Sequence, residues 1–177
     1  ADDPKPLQYI SEAYKELGDE DKALEYNQQY MDKNPNAAPT DFMKLAEIYV
    51  NKAKKDPAKK IENIDKAIGV YAKLSEKYPT LKTFAKLQEG NTAFQNELDD
   101  KAIAAYTEVI NELEAKQCDE DELSYLKTSY QYMGFIYTYD KQDFNTAKPY
   151  WDKLLKLDPQ NKLANDAYEK AGLKPGE

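Results

Sequence analysis

Acidic runs such as Asp99-Asp100 and Glu120-Asp121-Glu122 are candidates for a carboxylate pair. Such a pair can divide acid and base work between its members. Both runs, however, stand at turns and the first turns of helical patterns, where carboxylates complement the positive end of a helix dipole. The one cysteine, Cys118, lies in KQCDEDE. Its acidic neighbours disfavour the thiolate, so it reads as no nucleophile. A single cysteine also excludes an intramolecular disulfide and a cysteine-rich metal site. Histidine, the commonest general base and metal ligand, is absent. There is no Gly-rich phosphate loop, no nucleophile elbow and no spaced calcium loop. The expectation is a non-enzymatic protein with no catalytic residue, no metal and no cofactor.

The remaining chemistry is aromatic. YQYMGFIYTY, from Tyr130 to Tyr139, reads either as a platform that binds something or as a helix showing its packing face. Hydrophobic residues make up 41% of the 177, enough to build a core. Acidic residues outnumber basic ones 33 to 25, giving a net charge of −8 that disfavours a nucleic-acid partner. No apolar run approaches the ~18 residues of a membrane span. The chain opens ADDPKPLQYI, with neither Met nor a signal-peptide pattern. Either a leader was processed away or the chain is part of a longer one, and the native protein is expected to extend N-terminally.

Apolar residues recur at i, i+3, i+4 and i+7 almost throughout, and no long stretch alternates with period two, so the fold class is all-α. Repeats organise the helices. In the first, Leu7, Ile10, Ser11 and Tyr14 precede a Gly-Asp turn, Ala23, Asn27 and Tyr30 follow it, and Pro35 closes it. In the last, Tyr130, Met133, Gly134 and Tyr137 precede a turn, Ala147, Trp151 and Leu154 follow, and Pro159 closes it. Between them come Phe42, Leu45, Ala46 and Tyr49 with Ala67, Tyr71, Leu74 and Pro79. A looser unit carries Gly90, Ala93, Ala102, Tyr106 and Val109.

This pattern resembles the tetratricopeptide repeat, a helix–turn–helix unit of about 34 residues. The resemblance covers nearly the whole chain as a single domain, 1–177, with units at about 4–38, 39–82, 83–119 and 120–160 and a capping helix at about 161–172. Asn27 is a weak match, and the third unit has Lys86 and Glu89 where large apolar residues are expected. The second unit is longer than the family's, which predicts long helices meeting at Asp56-Pro57. The last has one extra residue in its turn. The third unit's second helix is expected to run to about Gln117. A polar cap face is expected from Asn161, Asp166, Glu169 and Lys170.

The resemblance implies antiparallel helix pairs stacked into a right-handed superhelical solenoid, with the first helix of each pair lining a concave groove. Its groove positions fall on Met43, Glu47 and Asn51, on Phe84, Leu87, Asn91 and Phe94, and on Gln131, Phe135 and Tyr139. Within YQYMGFIYTY, Tyr130, Met133, Gly134 and Tyr137 share the intra-repeat face. Trp151 and Leu154 cover it, and Gly134 lets the partner helix approach. Tyr132 and Ile136 point to a neighbouring repeat. Phe135 and Tyr139 fall on the groove side, where they either bind a partner or pack on each other.

The resemblance implies an interaction module that holds a protein or peptide partner in this groove. The carboxylate clamp of chaperone-binding members is not present: its positions carry Gln8, Glu12, Lys44, Phe84 and Gln88, of which Lys44 alone is basic. An alternative is an extracytoplasmic accessory protein whose aromatic side chains bind a glycan. The style of AKPYWDKLLKLDPQNKLANDA is similar to exported bacterial tetratricopeptide proteins, which suggests a periplasmic location, with the cytoplasm as the other reading. Self-association through an uncapped N-terminal end is a further expectation.

Overall fold

The structure, a computed structural model, describes residues 3–176; the expected domain limits at 1 and 177 lie outside them. Among the described residues there are nine α-helices and no strand. The helices are α1 (Lys5–Glu16), α2 (Glu20–Lys33), α3 (Pro39–Lys55), α4 (Lys60–Lys77), α5 (Lys82–Gln95), α6 (Asp99–Glu114), α7 (Glu120–Phe135), α8 (Phe144–Leu157) and α9 (Lys162–Ala171). They form two compact units that divide between Asn96 and Glu97. In the first, each helix from α1 to α5 packs on the next. In the second, α6 packs on α7, α7 on α8, and α9 on both α7 and α8. Successive packing of this kind makes the fold an all-α helical-repeat solenoid.

Local chemistry places the boundaries. Pro4 and Pro6 stand at the start of α1, where a missing N–H is harmless. Gly18 turns the chain at φ +75°, a conformation Gly adopts without steric cost. Asp19 then caps α2, accepting from the Lys22 backbone N–H at 3.1 Å. The long second pair is as expected: α3 and α4 have 17 and 18 residues and meet through a 3₁₀ turn at Pro57–Lys59. At α7, Asp119 and Glu122 form a reciprocal capping box, which is the use of that acidic run. The α6 helix stops at Glu114, short of the expected Gln117. Cys118 lies past its end, its thiol 3.3 Å from the Leu113 carbonyl.

Small residues set the helix crossings. Ser11 on α1 is buried against Ala23 on α2, and its hydroxyl donates to the Ala23 carbonyl at 2.7 Å. Ala46 and Ala67 let α3 and α4 close around Phe42, Tyr49, Tyr71 and Leu74. On α7, a Cβ added at Gly134 would lie 2.5 Å from the ring of buried Trp151 on α8. Trp151 cannot retreat, because its Nε1–H donates to Thr138 Oγ1 at 2.9 Å. Gly69 on α4 is the opposite case: nothing lies within 4 Å of an added Cβ.

One buried carboxylate joins three helices. Asp41, 5% exposed in the first turn of α3, accepts from Gln8 Nε2 on α1 and from Tyr30 Oη on α2, each at 2.9 Å. It also accepts the Ala38 backbone N–H at 2.8 Å, so a free helix-start donor is satisfied by the same group. Burial, followed by the bond to Asp41, pushes the Tyr30 phenol up from its ordinary value.

Gly69 and Gly134 should respond oppositely to alanine. Gly134→Ala is expected to lower stability by about 1–3 kcal/mol through overpacking. Gly69→Ala should raise it by about 0.5–1 kcal/mol through helix propensity. Urea midpoints at unchanged m-value read both. Asp41→Asn turns an amide N–H₂ toward existing donors and should cost about 1–3 kcal/mol in the same measurement.

Candidate functional site

In the first unit the facing sides of α1 and α3 form a polar groove. Lys15 Nζ lies 3.0 Å from Glu47 Oε2, and Lys44 pairs with Glu12. A cavity of about 220 Å³ opens between these charges, with buried Asn27 and Ile48 at its base. The Asn27 side-chain oxygen finds no donor among the described residues, the structural counterpart of its poor fit to the repeat pattern. Lys44 is occupied by Glu12, so the one basic clamp position is neutralised as well as isolated. Met43 is exposed, Glu47 is exposed in its ion pair, and Asn51 is half-buried one turn further along α3.

On α5 the expected groove residues divide by burial. Leu87 is only 5% exposed, which corrects its expected place on a binding surface: its side chain belongs to the interior. Phe84 is half-buried against the α3–α4 core, next to Leu81. Asn91 and Phe94 are half-buried.

In the second unit the aromatic stretch separates as its spacing predicts. Tyr130 and Met133 are buried, and Gly134 receives Trp151. Tyr132 stacks on Tyr106 of α6 with ring centres 5.6 Å apart, and Tyr137 stacks on Tyr150 of α8 at 6.1 Å. Phe135 and Tyr139 remain half-exposed, their rings 4.8 Å apart. Gln131, the third expected site residue here, accepts from Asn161 Nδ2 at 3.3 Å, and Asn161 caps α9. It is tied to the capping helix.

The extra residue in this unit's turn is absorbed as a π turn, Ile136–Asp140, followed by Gln142 at φ +55°. Such wide turns re-aim side chains and recur at functional sites. Here the turn carries Tyr139 onto the rim of a cavity of about 420 Å³. Thr138, Gln142 and Phe144 line one side, and Ala167, Lys170 and Ala171 of α9 line the other. Lys170 Nζ sits 4.5 Å from the Tyr139 ring centre, a cation–π contact. Burial, and then the charge of Asp166, pushes the Tyr139 phenol up. Tyr168 anchors α9 by donating to Asp152 and meeting Phe144 edge-on.

The sequence reading missed the α9 side of this cavity. Lys170, expected on a polar cap face, is exposed and also reaches over Tyr139. The available signal was Ala167 and Ala171, small residues four apart that leave room beside a helix.

The other reactive groups are accounted for locally. Lys141 pairs with Asp100 at 2.9 Å and reaches Asp99 at 4.0 Å. Burial and then Glu122 push the Cys118 thiol up, with Lys116 opposing. Among the described residues no cluster of three or more His, Cys, Asp or Glu is arranged to hold a metal ion. Among the described residues no helix is long and apolar enough to cross a membrane.

Comparison with known proteins agrees with this geometry. Residues 7–37 match the family model described as Tetratricopeptide repeat. No curated protein matches the chain. Among solved structures, the C-terminal part of a TPR repeat-containing protein from Cytophaga hutchinsonii is similar, with TM-score 0.67 and 20% identity over 93% of this chain. The human IFIT1 dimer with PPP-AAAA is similar at TM-score 0.61 and 17% identity, again over 93% of this chain. This chain spans 59% of the first of those chains and 36% of the second. Residues 7–37 thus carry a tetratricopeptide repeat, and the chain shares the helical-repeat fold of both structures.

Proposed function

We propose that this chain is a non-enzymatic interaction module that holds a segment of a partner protein. Tetratricopeptide repeats generally mediate protein–protein interaction. The observation that carries the reading here is the Phe135–Tyr139 pair. The two rings pack on each other and stay half-exposed, and Tyr139 lines the 420 Å³ cavity. Aromatic anchors with an adjoining concavity are where interface energy concentrates. The net charge of −8 favours a protein partner over a polyanion such as nucleic acid. Met43, Glu47 and Asn51, with Asn91 and Phe94, extend the same reading to the first unit.

The wild type and a Phe135→Ala/Tyr139→Ala variant, used side by side to capture partners from source extract, test the assignment. The expected outcome is one protein retained by the wild type and lost, by about tenfold or more, from a variant of equal helicity and stability. Equal capture by both would overturn it. So would a loss of about 3–5 kcal/mol of stability in the variant, the signature of core aromatics.

A further inference from the structure

The first unit has a second concavity, separate from the α1–α3 groove. It is a cleft of about 660 Å³ lying between α2 and α4 over one face of α3. Its base is apolar: Phe42, Leu45 and Tyr49 from α3, with Met31 and Val70. Its volume falls in the roughly 300–1,000 Å³ range of small-molecule sites.

Gly69 is the informative residue. It sits in the middle of the 18-residue α4, where Gly weakens a helix by about 1 kcal/mol relative to Ala. At Gly134 a ring in contact explains the missing side chain. At Gly69 no protein atom does, because nothing lies within 4 Å of an added Cβ. What that missing side chain keeps open is the cleft, where a guest can approach the α4 backbone.

The polar groups say what kind of guest fits. At one end Gln28 Nε2 donates to Tyr49 Oη at 3.1 Å, and no described residue accepts the Tyr49 hydroxyl hydrogen. Lys66, one turn before Gly69, also lines the cleft and pairs with exposed Glu62. Toward the other end stand Asp32 on α2 and Lys73, one turn beyond Gly69. Lys73 has no ion-pair partner among the described residues. The two rim lysines therefore differ: Lys66 is answered by Glu62, whereas Lys73 keeps its charge for a guest.

We propose that this cleft binds a small amphipathic carboxylate. Its apolar chain or ring lies on Phe42, Leu45 and Val70, and its anionic head meets Lys73. The lysine stems extend the apolar walls while their ammonium groups stay in water.

Calorimetric titration of the whole chain with decanoate, below its micellar concentration, tests this. The expected result is saturable one-to-one binding. Gly69→Leu, which fills the cleft from a helix that favours Leu over Gly, should abolish it. Gly69→Ala should weaken it to a smaller degree, a graded control should the larger variant fold poorly. Lys73→Gln should weaken it roughly fivefold, and decylamine should bind at least about tenfold more weakly than decanoate. Phe135→Ala/Tyr139→Ala should leave decanoate binding unchanged, which separates this site from the partner surface. Absence of saturable binding, indifference to both Gly69 variants, or equal binding of decylamine would each overturn the proposal.

Discussion

Two helices can run side by side at close range only where one of them gives up side-chain volume. In this molecule that constraint is sharpest at Gly134, where even a methyl group would stand 2.5 Å from the Trp151 ring. Ser11 with Ala23, and Ala46 with Ala67, meet the same requirement in the first unit. Once a crossing is set, every neighbouring side chain has a direction, because helical residues three and four apart share a face. That is why Tyr130 and Met133 turn inward, Tyr132 meets Tyr106, Tyr137 meets Tyr150, and Phe135 and Tyr139 pack on each other at the half-exposed edge. The candidate surface is the residue of the packing.

Charged groups then fix details that apolar packing leaves free. Asp41 ties the start of α3 to Gln8 and Tyr30, so the entry of α3 is positioned by directional bonds. A buried carboxylate with three donors is well satisfied, and removing any one donor leaves an expensive group behind. Many other charges form pairs on the surface, such as Lys15 with Glu47 and Lys153 with Glu114. Exposed pairs of that kind contribute little to stability. Their effect is on surface chemistry: they neutralise Lys15 and Lys44 in the α1–α3 groove and leave it polar without strong net sign.

The concavities differ in origin. The cavity beside Tyr139 exists because a π turn displaces the end of α7 and α9 brings Ala167 and Ala171 to the gap. The α2–α4 cleft is bordered by Gly69, where α4 presents no side chain to it. One is built by backbone irregularity and the other is bordered by an omission within a regular helix. The two glycines have identical sequence context by type, each inside a helical pattern, and opposite roles.

The helical fold, its turns and its repeat unit were legible in the sequence because they follow from local rules. Period 3.6, Gly-Asp at a turn, proline at helix starts and acids at caps each act within a few residues of themselves. The close approach at Gly134 and the sorting of Tyr130 to Tyr139 were legible for the same reason, since one crossing orients a whole helix face. Burial of Leu87, the turning of Lys170 onto Tyr139, the early end of α6 and the α2–α4 cleft were decided only in three dimensions. Each depends on how far a neighbouring helix covers a given face, and that distance is set by side chains remote in sequence. Periodicity tells which way a residue points; only the packed neighbours determine whether anything is there to meet it.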